Sequence, residues 1–219
     1  MSILEALKEN KGTVSTALSK ELADKVLAGD GAILEEAVDL TTYMLTNKKE
    51  KNVRCGAAKT VELVAFEKPE LVAPYLEKLL PALDAHEPQT RWMAIRIMGL
   101  CAASNESVAE KALGHAKEYI RKKKAGQLCL VSSADHYLGD YGAISRKNTE
   151  QVYGLLWESV DNLILNEHDW LMEAFIKISP NLDGTEKEKV RAFALEFKDH
   201  PRKATLKRIE QIEKICNLA

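Results

Sequence analysis

Val53-Arg54-Cys55-Gly56-Ala57-Ala58-Lys59 lies over Thr90-Arg91-Trp92-Met93-Ala94-Ile95-Arg96 at an offset of 37 residues. At the same offset Leu63 meets Leu100 and Ala65 meets Ala102. A weaker copy puts Ala134, His136, Leu138 and Gly139 40 residues after Ala94, Arg96, Met98 and Gly99. A fourth begins near Trp170, with Ala174 another 40 residues on, and a helix holding Ala204, Leu206 and Ile209 closes a fifth. A period near 40 with two helices per period is the signature of a stacked helical array.

The rest of the chain agrees. Leu (28) and Ala (26) make up about a quarter of the 219 residues, and both favour helices. Ile33, Ala37, Leu40 and Met44 recur at helical spacing, as do Val72, Leu76, Leu79, Leu80 and Leu83. No run of alternating β-branched residues competes with them. Turn signals such as Gly29-Asp30-Gly31, Lys68-Pro69, Glu87-Pro88, Ser104-Asn105 and Asn181-Leu182-Asp183-Gly184 punctuate the pattern. They predict helices at 14–28, 31–46, 52–66, 69–84, 88–103, 106–123, 125–141, 148–165, 168–179, 185–198 and 201–216. The fold class expected is all-α. A right-handed α-α superhelix of about five helix pairs (31–66, 69–103, 106–141, 148–179, 185–216) follows an N-terminal cap at 1–30, in a single domain spanning 1–219. One helix pair cannot bury its apolar face alone, whereas stacked pairs share a continuous core.

Thirty-one basic against 33 acidic residues leave a net charge of −2, which gives no whole-chain support for nucleic-acid binding. The longest basic run, Arg121-Lys122-Lys123-Lys124, is expected to be a solvated helix end. Cys55, Cys101, Cys129 and Cys216 form no C-x-x-C pair. Their apolar neighbours suggest buried, free thiols in a reducing, cytoplasmic setting. Met1 to Lys11 is polar and has no leader-like apolar stretch, and no membrane span is expected.

Pro69-Glu70-Leu71-Val72-Ala73-Pro74-Tyr75-Leu76-Glu77-Lys78-Leu79-Leu80-Pro81-Ala82-Leu83-Asp84 resembles the first helix of a HEAT repeat, with interior prolines that kink it. Glu87-Pro88-Gln89-Thr90-Arg91 resembles the acidic-Pro-x-Val-Arg turn of that family. Glu50-Lys51-Asn52-Val53-Arg54 repeats it without the proline. The resemblance is specific over 31–103. It implies a HEAT/armadillo-like solenoid, a ladder of acidic residues and arginines between stacked turns, and a concave ligand surface made by the second helices.

On that surface Lys59, Arg96 and His136 occupy equivalent positions, and Lys177 extends the line. Such a column suits an acidic peptide or a phosphate backbone, although long basic side chains also snorkel from packed helices. Asp135, His136 and Asp140 form a second cluster, with His136 and Asp140 one turn apart; a carboxylate can orient an imidazole, and polar pairing between helices accounts for the cluster equally well. Asn166-Glu167-His168-Asp169-Trp170 is a third, with Trp170 either a stacking residue or a core filler. Tyr137 and Tyr141 are the other aromatics to locate. Trp157 is expected on the convex side, and His86, His115 and His200 at the surface.

No G-x-S-x-G, H-E-x-x-H or Gly-rich phosphate loop is present, so no catalytic residue, metal or cofactor is assigned. The reading is an interaction scaffold that binds a protein or acidic peptide in its groove. The alternative is a nucleic-acid-binding relative of HEAT-like DNA-alkylation-repair glycosylases. Asp169-Trp170-Leu171-Met172-Glu173-Ala174 resembles their Trp-Leu-x-Arg segment, and Tyr137-Leu138-Gly139-Asp140 resembles an apolar Gly-Asp helix near it. Glu173 stands where the arginine would, and no Trp-Asp-x-x-Asp motif precedes Leu138. That resemblance therefore implies binding without base excision.

Overall fold

The computed structural model describes residues 2–10, 17–122, 128–161, 163 and 168–217, and these are helical with no strand among them. The helix starts expected at 14–16 and 125–127, the helix end expected at 164–165, Lys123-Lys124 and Asn166-Glu167 lie outside the described residues. The chain divides into two compact units, Met1–Ala116 and Lys117–Ala219.

In the first unit, α1 (Ile3–Glu9) opens with a capping box. Glu5 N–H donates to Ser2 Oγ at 3.2 Å, and Ser2 N–H donates to Glu5 Oε2 at 3.0 Å. Helices α2 (Ala17–Leu27) and α3 (Gly31–Thr41) meet at Gly29. Gly29 adopts φ 116° and closes a Schellman turn: Asp30 N–H donates to Lys25 O and Gly29 N–H to Val26 O. Helix α4 (Lys51–Glu67) packs on α3 and on α7 (Pro88–Leu100). Between them the expected helix 69–84 is broken. It runs as α5 (Pro69–Val72), a 3-10 turn over Ala73–Tyr75, α6 (Leu76–Leu79) and a second 3-10 turn over Leu80–Asp84. Pro74 and Pro81 each remove an N–H and crowd the preceding turn, so the helical ladder tightens there. Helix α8 (Glu106–Ala109) and the start of α9 (Leu113–Arg121) follow α7.

In the second unit α10 (Leu128–Gly142) packs on α11 (Arg146–Asp161) and α12 (His168–Ile178), and α14 (Lys203–Asn217) packs on α12 and on α13 (Gly184–Leu195). Two close approaches hold α10 in place. A Cβ built on Gly139 would sit 2.7 Å from the Ala174 Cα, and one on Gly142 would sit 2.6 Å from Val152 Cγ2. Gly139, which the repeat alignment places over Gly99, lets α10 and α12 touch at backbone distance, whereas Gly142 makes room for side-chain methyls.

The repeat period is visible in the bonds that cross between helices. Tyr75–Glu35, Lys78–Asp39 and Lys111–Glu77 are separated by 40, 39 and 34 residues. Arg121–Glu158, Arg146–Glu186 and Thr205–Asp169 are separated by 37, 40 and 36. Each joins one helix pair to the corresponding position of the next within its unit.

The expected ladder is present at its first rung. Arg54 is fully buried, and its Nε and Nη2 donate to Glu87 Oε1 and Oε2 at 2.7 and 2.8 Å. Its Nη1 donates to the carbonyls of Tyr43, Met44 and Asn47 at 3.0, 2.9 and 3.1 Å. Thr90 Oγ1 donates to Glu87 Oε1 at 2.6 Å. Burial pushes the Glu87 carboxyl up, but the hydrogen bonds from Arg54 and Thr90 outweigh it and hold the group below its ordinary range. Met44 sits in the left-handed region at φ 44°, and the guanidinium bonds on either side of it keep it there.

Candidate functional site

In the second unit α10, α12 and α14 lie side by side and share a part-exposed face. Asp140 on α10 accepts an ion-paired hydrogen bond from the Lys177 ammonium on α12. His136, one turn before Asp140, places Nδ1 3.6 Å from Glu173 Oε2. Glu173 in turn holds Arg208 of α14, whose Nε donates to Oε1 at 2.9 Å. Arg208 is also tied down by the Ala204 carbonyl at 3.0 Å. The expected cluster is thus redistributed: His136 and Asp140 each face a different charge on α12. Asp135 is fully buried and faces the core.

At the start of α12, Asp169 is buried and accepts from Thr205 Oγ1 at 2.7 Å. Arg202 Nη1 lies 3.2 Å from Asp169 Oδ2, and Arg208 Nη1 lies 3.8 Å from Oδ1. Trp170, the next residue, is half-buried. His168 is buried and stacks on Phe197 with centroids 4.4 Å apart, with His200 edge-on at 4.8 Å. His200 therefore packs against another ring rather than standing alone.

Other expectations shift. Tyr137 and Tyr141 are core residues, stacked at 5.9 Å, with the Tyr141 hydroxyl donating to Gln151 Oε1 at 2.8 Å. Trp157, on α11, is half-buried. It packs against Phe175 at 5.0 Å and Phe193 at 6.0 Å, with the Lys189 ammonium 3.9 Å above its ring. Cys55 and Cys101 are buried, but Cys129 is exposed and Cys216 half-buried, and all four are free thiols. Burial pushes the Cys101 thiol up to about 12. The described residues include no group of three or more His, Cys, Asp or Glu side chains placed to hold a metal ion.

In the first unit the equivalent face is made by α4 and α7. The Lys59 ammonium pairs with Glu62 Oε2 at 2.7 Å, and Arg96 is part-exposed on α7. Glu62, Glu173 and Arg208 were missed by the sequence reading. Glu62 carried a usable signal, because i, i+3 from Lys59 places it on the same helical face.

Two solved structures share this helical fold over nearly their whole length. An engineered protein superposes with a TM-score of 0.68 at 16% identity, covering 100% of both chains. A designed armadillo repeat protein superposes at 0.63 and 13%, covering 99% of this chain and 100% of its own. The chain has an armadillo-like helical-repeat fold. A further designed armadillo repeat protein, solved in complex with the peptide (KR)4, superposes at 0.64 and 12% identity over 98% of both chains. No protein-family model matches the sequence, and no curated protein sequence does. Among the described residues no helix is long and apolar enough to cross a membrane.

Proposed function

We propose that the chain is a repeat scaffold that holds a protein or peptide segment on the face of its second helices, within a single repeat domain spanning 1–219. The residues assigned are Lys59 and Arg96, with Glu62, on the second helices of the first unit, and His136, Asp140, Trp170 and Lys177, with Glu173 and Arg208, on those of the second. The observation that carries the reading is the alternation of sign on α10, α12 and α14. Asp140 holds Lys177, and Glu173 holds Arg208. A track for a nucleic-acid backbone presents cations to successive phosphates. Cations already neutralised by carboxylates suit a peptide instead, whose own charges and amides can exchange with the pairs. The likeness to a designed armadillo repeat protein solved with a peptide supports the same mode. With that fold and this face, no step of covalent chemistry is assigned.

The test is affinity capture with the wild type, with the paired variant Asp140→Lys and Glu173→Lys, and with Lys111→Glu on the first-helix side. Partners retained by the wild type and by Lys111→Glu, but lost from the paired variant, are expected. Identical partner sets from all three would refute the assignment of this face. A salt-dependent mobility shift on duplex DNA, abolished by Lys59→Glu with Arg96→Glu, would replace the peptide reading with a nucleic-acid one.

A further inference from the structure

The first helices of the second unit carry a site apart from the second-helix face. Helices α11 and α13 run in the same direction and are joined by side chains at both ends. Arg146, at the start of α11, holds Glu186 near the start of α13, and Trp157, near the end of α11, packs against Phe193 near the end of α13. Trp157 is half-buried, and its ring is fixed. Phe175 lies 5.0 Å from it, and Tyr153, one turn earlier on α11, meets it edge-on at 6.0 Å. The Lys189 ammonium caps the ring, 3.9 Å from its centroid. Lys189 is exposed, and its side chain has no hydrogen bond or ion pair among the described residues, so the indole alone holds it there.

The charge around that ring is acidic. Asp161 ends α11 one turn beyond Trp157, and Glu196 caps α13 one turn beyond Phe193. Both are exposed, and neither side chain has a hydrogen bond or ion pair among the described residues. A helix C-terminus already carries partial negative charge, which a carboxylate aggravates and a cation relieves. Neither helix has a basic residue in its last turn. At this end Asp161, Glu196 and Asp199 outnumber Lys189 and Lys198, and at the other Glu150, Asp183 and Glu186 outnumber Arg146 and Lys147. Glu158 is matched by Arg121 and Glu188 by Arg191, while Lys187 lines the α14 side of α13 beside Cys216. The Tyr153 hydroxyl, beside the ring, feels the same sign. Burial raises it first and the Trp157 N–H lowers it; Glu186 and Asp183 then raise it by more than Arg146 lowers it.

We infer that the exposed side of the Trp157 ring is a binding site for an arginine side chain of a peptide segment, with Lys189 as its displaceable internal occupant and Asp161 and Glu196 as the carboxylates that draw the arginine in. The site lies on the first helices and does not depend on the second-helix face. That the ring takes a cation is shown by Lys189 itself. A guanidinium suits it better than an ammonium. It is planar, stacks on an indole, is more weakly hydrated, and keeps its N–H edge free for carboxylates. From Trp157 to Asp161 the helix rises about 6 Å, so a guanidinium lying on the ring brings that edge within reach of a carboxylate one turn away. Lys189 loses no carboxylate partner when it swings into solvent, so it yields the ring at little cost. The incoming arginine meets two carboxylates that the folded chain leaves unmatched.

The experiment titrates the full chain with a capped peptide of alternating alanine and arginine and follows the Trp157 indole N–H by heteronuclear NMR, the signal being assigned with Trp157→Phe. The expected result is a saturable shift with the arginine peptide and none with its citrulline counterpart, which keeps the shape without the charge. Lys189→Ala removes the competing ammonium and should tighten the peptide by roughly two- to fivefold. Asp161→Lys with Glu196→Lys should weaken it by about tenfold. Circular dichroism should be unchanged in both variants, because all three side chains are exposed. An equal shift with the citrulline peptide, or a lysine peptide that binds as tightly, overturns the inference. So does an affinity unmoved by Lys189→Ala or by the charge reversal, or the absence of any shift at millimolar peptide. Loss of the shift in Asp140→Lys with Glu173→Lys would put the peptide on the second-helix face, overturning this site and leaving the scaffold reading standing.

Discussion

Replacing Gly139 by alanine is the sharpest test of how the second unit is built. The added Cβ would lie 2.7 Å from Ala174 Cα, 3.0 Å from Ala174 Cβ and 3.5 Å from Ala174 O. Carbon atoms rest about 3.5–4.0 Å apart, so α10 and α12 must separate by about 1 Å. Overpacking of this kind costs about 1–3 kcal/mol. Removing a helical glycine returns about 0.5–1 kcal/mol, leaving a net loss of roughly 1 kcal/mol at the middle of the two ranges. Urea unfolding followed by circular dichroism reads it as a lower midpoint. Gly154→Ala in α11 is the control. Its Cβ meets nothing within 4 Å, so it should gain about 0.5–1 kcal/mol. The decisive variant is Gly139→Ala with Ala174→Gly. The closest atom is the Ala174 Cα, which survives that second change, so stability should not return. Full rescue, or a Gly139→Ala protein as stable as the wild type, would refute the close approach of the two backbones. Because Asp140 follows Gly139 and its partner Lys177 is on α12, the same variant should also loosen the charged face.

Other outcomes follow from the same contacts. Gly142→Ala meets side-chain atoms, Val152 Cγ2 at 2.6 Å and Ile178 Cγ2 at 2.8 Å, so Val152→Ala with Ile178→Ala should lower the urea midpoint less in the Gly142→Ala background than in the wild type. Glu87→Gln leaves the buried Arg54 guanidinium without its carboxylate and should cost about 3 kcal/mol in urea unfolding at pH 7. The folded Glu87 carboxyl is held below its ordinary value, so its stabilisation is complete above the unfolded value of about 4.3 and fades as pH falls through the folded one. The acid limb of a stability–pH profile should therefore be shallower in Glu87→Gln than in the wild type. Thiol labelling should modify Cys129 first. Cys55 and Cys101, both buried with thiols pushed up by burial, should react only on unfolding.

The repeat was legible because its signal is local and periodic. The offset between Arg54 and Arg91 anticipates cross-pair bonds at separations of 32 to 41 residues. The acidic-turn resemblance implies a ladder of acidic residues and arginines between stacked turns, and the Arg54–Glu87 pair is one such rung. What stayed hidden depends on phase or on distant partners. Cys129 looks buried beside Leu128 and Leu130, yet sequence neighbours on a helix point about 100° apart, and it faces outward. His136 and Asp140 share a face as expected, but only the packing of α12 shows that they answer Glu173 and Lys177. The exposure of Phe66 was invisible because nothing in composition distinguishes an exposed phenylalanine from a core one.

The Arg54 clamp also sets where the chain can be divided. Its guanidinium takes three carbonyls from the loop before α4 and a carboxylate from the turn before α7. A fragment cut after Glu67 keeps a whole helix pair but strands a buried positive charge. The smallest heritable module that duplication could copy intact therefore runs from one turn to the next, across the boundary of the helix pair, and a shortened array should be tolerated only when its last copied residue lies beyond Glu87.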